Sequence, residues 1–238
     1  MTFRPYPGLT AATVIAFAIL CGLGVWQGFI RLPQKLEQIA TVNSHMAAAP
    51  RPLNRIWTMS AKEAQYRRVT LKGQFDHAKE SYVFTTDAAG APVYHVLTPF
   101  KTDDGKTLIV DRGEVPKEKL DPASRAQGNP AGDVQITGVW RAPDAPGLFT
   151  PPPDVRNRIW YARDLAAIAA ANGLPLSAPV VIEADASPNP GGWPRGGQTV
   201  VSFRNQHLSY ALTWFGLAIV LLGVWFSYNI SKGRIGWN

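Results

Sequence analysis

Two stretches of this chain contain no Asp, Glu, Lys or Arg: Gly8 to Ile30 (GLTAATVIAFAILCGLGVWQGFI) and Leu208 to Ile230 (LSYALTWFGLAIVLLGVWFSYNI). Each runs to about 23 residues, against the ~20 that an α-helix needs to cross the hydrocarbon of a bilayer. Tyr6, Trp26, Trp214, Trp225 and Tyr228 stand near their ends, where aromatic rings sit among headgroups or face a partner helix. A buried helix of a soluble protein is the competing reading. A cleaved signal peptide is not, because the apolar run exceeds the usual ~7–15 residues and AAAP at Ala47 to Pro50 lies too far downstream. Both stretches are therefore read as retained spans.

The expected organisation is a transmembrane helix over 8–30, a β-rich domain with a leading helix over 31–207, and a second transmembrane helix over 208–230. Charge sets the orientation poorly. Arg4, Lys232 and Arg234 favour cytoplasmic ends, but Arg31, Lys35, Arg195 and Arg204 flank the spans on the loop side, and long loops translocate largely regardless of charge. The formal net charge of +7 suits anionic headgroups, whereas nucleic acid is not an expected partner outside the cytoplasm. Cys21, the sole cysteine, lies within the first span, which excludes a disulfide within the domain, a C-x-x-C-H haem attachment and a two-thiolate copper site.

Within the middle region, Leu32, Leu36, Ile39 and Met46 recur at helical spacing until Pro50 and Pro52. Ser60 and Glu63 form a capping-box pair for a short helix ending near Gln65. Five β-type segments follow: Tyr66 to Phe75, Ser81 to Thr86, Val93 to Lys101, Thr107 to Val115 and Val134 to Arg141. Asp103-Asp104-Gly105 reads as a hairpin turn, Leu120 to Gly132 as a polar surface loop, and Pro143 to Asn157 as a Pro-dense connection. Asp164 caps an Ala-rich helix that Gly173 ends, Val180 to Ala184 is the last strand, and Ser187 to Gln198 is a linker back to the membrane. Strands in succession imply a mostly antiparallel barrel or sandwich. The expected fold class is thus membrane α+β, with two transmembrane helices flanking that domain and its short helices.

Of the histidines at 45, 77, 95 and 207, His207 stands out because it sits at the mouth of the second span, where imidazole gains little from lipid. On a helix Arg204, His207, Tyr210, Trp214 and Ala218 would share a face. An imidazole can ligate haem iron, aromatic rings can flank a macrocycle, and a guanidinium can pair with propionates. The same residues also suit a helix cap followed by an interfacial belt, and spacing alone leaves both readings open. Gly24 and Gly28 form a G-x-x-x-G that lets the spans pair, bringing Trp26 or Gln27 near His207. Catalytic patterns are weak: there is no H-x-x-x-H and no G-x-S-x-G, and Asp111 and Glu114 are expected on opposite strand faces.

RNQHLSYALTWFGLA at Arg204 to Ala218 resembles the second-span signature of the surfeit locus (Shy-type) family of cytochrome c oxidase assembly factors. LGVWQ at Leu23 to Gln27, YRRVTLKGQF, TPFKTDDGKTLIVDRGEVP, ITGVWR with a later F-x-P at Phe149 to Pro151, and IWYARD extend the likeness over both spans and most of the domain. The chain departs from the family at Pro33-Gln34, which stand where Trp-Lys is usual, and at Asp111 and Glu114, where Asn and Trp are common.

The resemblance implies two spans with cytoplasmic termini around an extracytoplasmic domain. It also implies a non-enzymatic role in maturing the haem a centre of oxidase subunit I. His207 would be the haem a iron ligand, and Arg204, Tyr210, Trp214, Trp26 and Gln27 would be further cofactor-binding residues. Subunit I, haem a synthase and the lipid bilayer are the implied partners. Lack of an Arg- and Ser-rich presequence favours a bacterial inner membrane, with the domain periplasmic. The alternatives are a cofactor-free scaffold for an oxidase intermediate and, less favoured, an extracytoplasmic enzyme.

Overall fold

The fold was read from a computed structural model that describes residues 2–87, 89–199, 201 and 203–236. Its contacts divide the chain into a helical unit, formed by the described residues up to Thr41 and those after Ser202, and a β unit, Val42–Val201.

In the helical unit, an α-helix over Pro7–Val25 starts with proline in its first turn, where the missing N–H costs nothing. It widens into a π-helical turn over Trp26–Arg31 and resumes as Leu32–Ala47. The Leu32 N–H reaches back five residues to the Gln27 carbonyl. Pro33 supplies the reason: in a regular helix its ring would strike the carbonyl of Phe29, and the wider turn removes that clash. The second long helix, His207–Ser231, runs without interruption.

Small residues bring the two helices together. A Cβ on Gly24 would lie 2.8 Å from the Phe215 ring, and one on Gly28 would lie 3.3 Å from the Ala211 Cβ. Thr13, Ala211, Ala218 and Asn229 are buried. Trp225 Nε1 donates to Thr10 Oγ1 at 3.1 Å, and the Tyr6 N–H donates to Asn229 Oδ1 at 3.3 Å. Beyond them Thr2–Phe3 pairs antiparallel with Ile235–Gly236. By contrast Val14, Ile15, Ile19, Leu212, Ile219, Val220 and Val224 are each more than half exposed. An apolar surface of that extent is the outside of a membrane pair, which removes the buried soluble helix as a reading.

The β unit contains six main strands: β1 Arg68–Phe75, β2 Ser81–Thr86, β3 Pro92–Thr102, β4 Thr107–Pro116, β5 Val134–Arg141 and β6 Val181–Ala184. β1 pairs antiparallel with β5 and again, at Gly73 to Phe75, with β3. The circuit β1-β3-β4-β6-β5 therefore closes, with the β4–β6 pair parallel and the others antiparallel. This is the connectivity of an OB-type Greek-key barrel. β2 continues along β3 where β1 leaves it, from Ser81↔Leu97 to Thr86↔Pro92, so residues 76–80 form a break in one long strand.

Period-2 alternation places both faces of β4 in apolar surroundings. Leu108 and Val110 join Val69, Leu71, Phe100, Trp140 and Ile182 in one cluster. Ile109 between them meets Leu97, Val181 and two residues of the helix Leu165–Asn172, Leu165 and Ile168. That helix has the expected ends, with Asp164 accepting from the Ala167 N–H and Gly173 left-handed at φ 60°. Ser60 and Glu63 form their capping box. Burial of each of these aliphatic side chains stabilises by about 1.5–3 kcal/mol.

Two expectations are corrected. The polar segment after Leu120 is not simply a surface loop, because it forms 3-10 turns over Pro122–Gly128 that insert a buried Arg125 into the barrel wall. Nor is Ser187 to Gln198 a free linker. Trp193 packs beside Val115 and Tyr94, and Arg195 exchanges backbone hydrogen bonds with Glu114 at 3.0 Å. Gly113 permits that approach, since at φ 103° its Cβ would fall 1.8 Å from the Arg195 carbonyl oxygen.

Candidate functional site

The π-helical turn sets where the Gln27 side chain goes, and the second helix begins at His207, opposite it. His207 Nδ1 and Gln27 Oε1 are 2.7 Å apart. An amide oxygen only accepts, so Nδ1 carries the hydrogen, and in the neutral ring the lone pair lies on Nε2. Among the described residues the imidazole makes no other side-chain hydrogen bond, while its backbone N–H donates to Asn205 Oδ1 at 3.4 Å. This is the arrangement by which a second residue fixes the tautomer and direction of a metal-ligating histidine.

The other sequence-derived candidates fall into two groups. Tyr210, half exposed, and the partly buried Trp214 follow His207 at helical spacings of three and four. Trp26, 45% exposed, precedes Gln27 in the π turn, and the Arg31 guanidinium lies 5.7 Å from its ring centroid. Arg204, in contrast, lies outside the helix, which starts three residues later because Gln206 is its N-cap. It is exposed and does not continue the helical face expected for it. The close contact joins His207 to Gln27; Tyr210 and Trp26 supply exposed flat surface on the same two elements.

The β unit holds two buried charged clusters that the sequence reading missed. In the first, Glu80, 1% exposed in the break between β1 and β2, accepts from Arg125 Nη2 and from Arg112 Nη1 at 3.3 Å. Arg112 also donates to Asn129 Oδ1 at 2.9 Å and to the Gly128 carbonyl, and it lies over the Phe75 ring at 4.8 Å. Burial alone would raise the Glu80 carboxyl. Hydrogen bonds from His77 and Arg125 and the two guanidinium charges outweigh it and hold the group at about 2. Burial and the Glu80 charge push the neighbouring Tyr82 up to about 12, and burial brings Arg112 down to about 10.

In the second cluster, His95 Nδ1 meets Asp111 Oδ2 at 2.8 Å, and Asp111 Oδ1 accepts from the Gly113 N–H at 3.0 Å. Arg163 joins Asp111 at 3.6 Å, Asp144 at 2.7 Å and Glu183. Burial disfavours the charged imidazole, but the Asp111 charge and hydrogen bond prevail and raise His95 above its ordinary value. Asp111 is held low against its own burial by His95 and Arg163. His95 lines a cavity of about 330 Å³ with Phe84, Thr85, Thr150, Tyr161 and Arg163. An acid–imidazole pair therefore exists between β3 and β4, where the sequence offered none. A bulge between His95 and Leu97 shifts the register and lets the pair form.

Taken together, these features define a bilayer-anchored protein in which an OB-type barrel is joined to a tightly packed helix pair bearing an amide-fixed histidine. The family model described as SURF1 family matches residues 14–219. Surfeit locus protein 1 of Takifugu rubripes is 35% identical over 230 residues, covering 90% of this chain and 94% of that protein. The human protein of the same name is 36% identical over 224 residues, 86% of this chain and 72% of its own length. A SURF1-like protein of Monosiga brevicollis is 35% identical, covering 92% and 85%. The chain belongs to the SURF1 family, the surfeit locus family of cytochrome c oxidase assembly factors.

Proposed function

We propose that this protein holds haem a through Nε2 of His207 and assists its insertion into, or stabilisation in, cytochrome c oxidase subunit I, with haem a synthase as the source of the cofactor. The observation that carries this reading is the 2.7 Å contact between Nδ1 of His207 and Gln27, which leaves the opposite ring nitrogen to coordinate. The residues fit the group: a directed imidazole stands at a helix start, with the exposed rings of Tyr210 and Trp26 nearby in sequence to cover a flat macrocycle. Arg204, exposed and on the aqueous side of the helix start, suits a propionate. When bound, haem a would supply an iron able to take a nitrogen donor; His207, directed by Gln27, would offer that nitrogen, and Tyr210 and Trp26 would shield the ring. By the family resemblance, rather than by charge, the termini are cytoplasmic in a bacterial inner membrane, which would leave the barrel periplasmic. The role is assembly rather than catalysis.

The test is an absorption spectrum of the full-length protein purified with haem a supplied, beside His207→Ala. We expect a haem spectrum that the substitution abolishes; an unchanged spectrum in the variant overturns the ligand assignment.

A second reading, a cofactor-free scaffold, is favoured by one feature. Leu148 and Phe149 are 93% and 92% exposed at the tip of the Pro-rich connection, a placement suited to docking on a partner. It predicts full-strength co-purification of subunit I with no haem absorption, and loss of that co-purification in Leu148→Ser/Phe149→Ser.

A further inference from the structure

At the end of the helix pair remote from His207, the two helices line a cleft of about 440 Å³. Tyr6, Leu9 and Thr13 line it from one helix, and Val224, Trp225 and Tyr228 from the other. The cleft is apolar within: Trp225 spends its N–H on Thr10, outside the lining, and Thr13 is buried. Its mouth is cationic. The Arg234 guanidinium lies 4.3 Å from the Tyr6 ring centroid, and the Lys232 ammonium 5.9 Å from that of Tyr228. The rings of those two tyrosines, both in the cleft lining, are in tilted contact with centroids 6.1 Å apart.

Neither cation has a carboxylate partner among the described residues, and the sequence contains no Asp or Glu in residues 1–36 or 186–238. Arg4, whose N–H donates to the Arg234 carbonyl at 2.8 Å, adds a third positive charge at the same end.

We propose that this cleft binds an anionic phospholipid from the leaflet nearest the chain termini, with an acyl chain in the cleft and the phosphate on Lys232 and Arg234. A hydrocarbon tail satisfies the lining without asking for a hydrogen bond, and a phosphodiester answers both unpaired cations. Charge argues against a second copy of this chain as the occupant, since it would bring an equally positive end to the same mouth. The site does not depend on the haem reading, because it shares no residue with His207 or Gln27.

The test is native mass spectrometry of the full-length protein released from bilayers containing equal phosphatidylglycerol and phosphatidylcholine. The wild type should retain phosphatidylglycerol preferentially. Lys232→Gln and Arg234→Gln should each reduce that preference by about fivefold, the worth of one basic charge at a lipid surface. Val224→Trp, which fills the cleft, should remove retention of both lipids, while Leu212→Trp, on exposed surface of the same helix, should leave it intact. Equal retention of the two lipids, or a preference untouched by both charge substitutions, overturns the proposal. So does a photoreactive residue at Leu221, which also lines the cleft, that cross-links to protein instead of lipid.

Discussion

Nδ1 of His207 and Oε1 of Gln27 are 2.7 Å apart although 180 positions separate the residues in sequence. The bond sets the tautomer of the imidazole, so its loss should be visible before any ligand is added. In Gln27→Leu the ring is free to rotate and to populate both tautomers, and nitrogen-15 spectra of the labelled histidine should shift from a single Nδ1-protonated form to a mixture. On the proposed haem a ligation by His207, affinity for haem a should fall by about 10- to 100-fold, the usual cost of removing the partner that orients a metal-ligating histidine. A histidine spectrum identical to the wild type would contradict the assignment whatever the affinity does.

Gly24 and Gly28 both face the second helix, but not equally. The Cβ of a residue at 24 would press into the Phe215 ring at 2.8 Å, whereas one at 28 meets a methyl group at 3.3 Å. Gly24→Val should therefore weaken the helix pair by about 1–3 kcal/mol, the range for overpacking a close contact. Gly28→Ala should cost distinctly less. Denaturation of the detergent-solubilised protein, followed through the tryptophans, orders the two variants. The reverse order would mean that the helices pack on other faces.

The contrast between these sites explains what could be read from sequence. Spans, strands and caps are announced by patterns within one segment: no charge over 23 residues, alternation in Thr107 to Val115, and Ser60 with Glu63 three positions on. G-x-x-x-G likewise announced a helix contact, and with it the neighbourhood of Gln27 and His207. The charged clusters have no such local mark. Glu80 reads as one more polar residue in a turn, and Arg125, 45 positions away, as part of a solvated loop. Only barrel closure makes them neighbours. One signal was available and unused: glycine inside a strand often marks a close backbone approach, as Gly113 does for Arg195. Pro33 similarly hinted at an irregular turn, but not that Gln27 would gain its direction from it.

Glu80 stands at about 2 in the folded protein, against ~4.3 in an unfolded chain. Because the folded value is the lower, its stabilisation is complete above about pH 4.5 and is lost as pH falls from there toward 2. The size is on the order of 3 kcal/mol. Glu80→Gln removes the charge that faces Arg112 and Arg125 and should cost about 3–5 kcal/mol at neutral pH, as breaking a buried ion pair does. It should also flatten the acid slope. Urea midpoints from pH 7 to pH 3 test both, and an acid slope equal to the wild type's in the variant would exclude Glu80 as its source.

The His95 pair should show the opposite sign. Three carboxylates, Asp111, Asp144 and Glu183, face two guanidinium groups, Arg163 and Arg141, so a protonated His95 supplies the charge that balances them. Its folded pKa is raised above the ordinary ~6.5. The stabilisation is therefore fully present below about pH 6.5 and fades as pH rises through the folded value. His95→Gln should lose stability below that point and little above it. Arg163 pulls in the other direction, since its positive charge opposes protonation of the imidazole. Arg163→Met should consequently move the His95 titration to still higher pH while destabilising the domain through the carboxylates it leaves unpaired. Proton NMR titration of His95 in the two proteins measures the shift, and a move to lower pH in Arg163→Met would mean that Asp111 does not govern the ring.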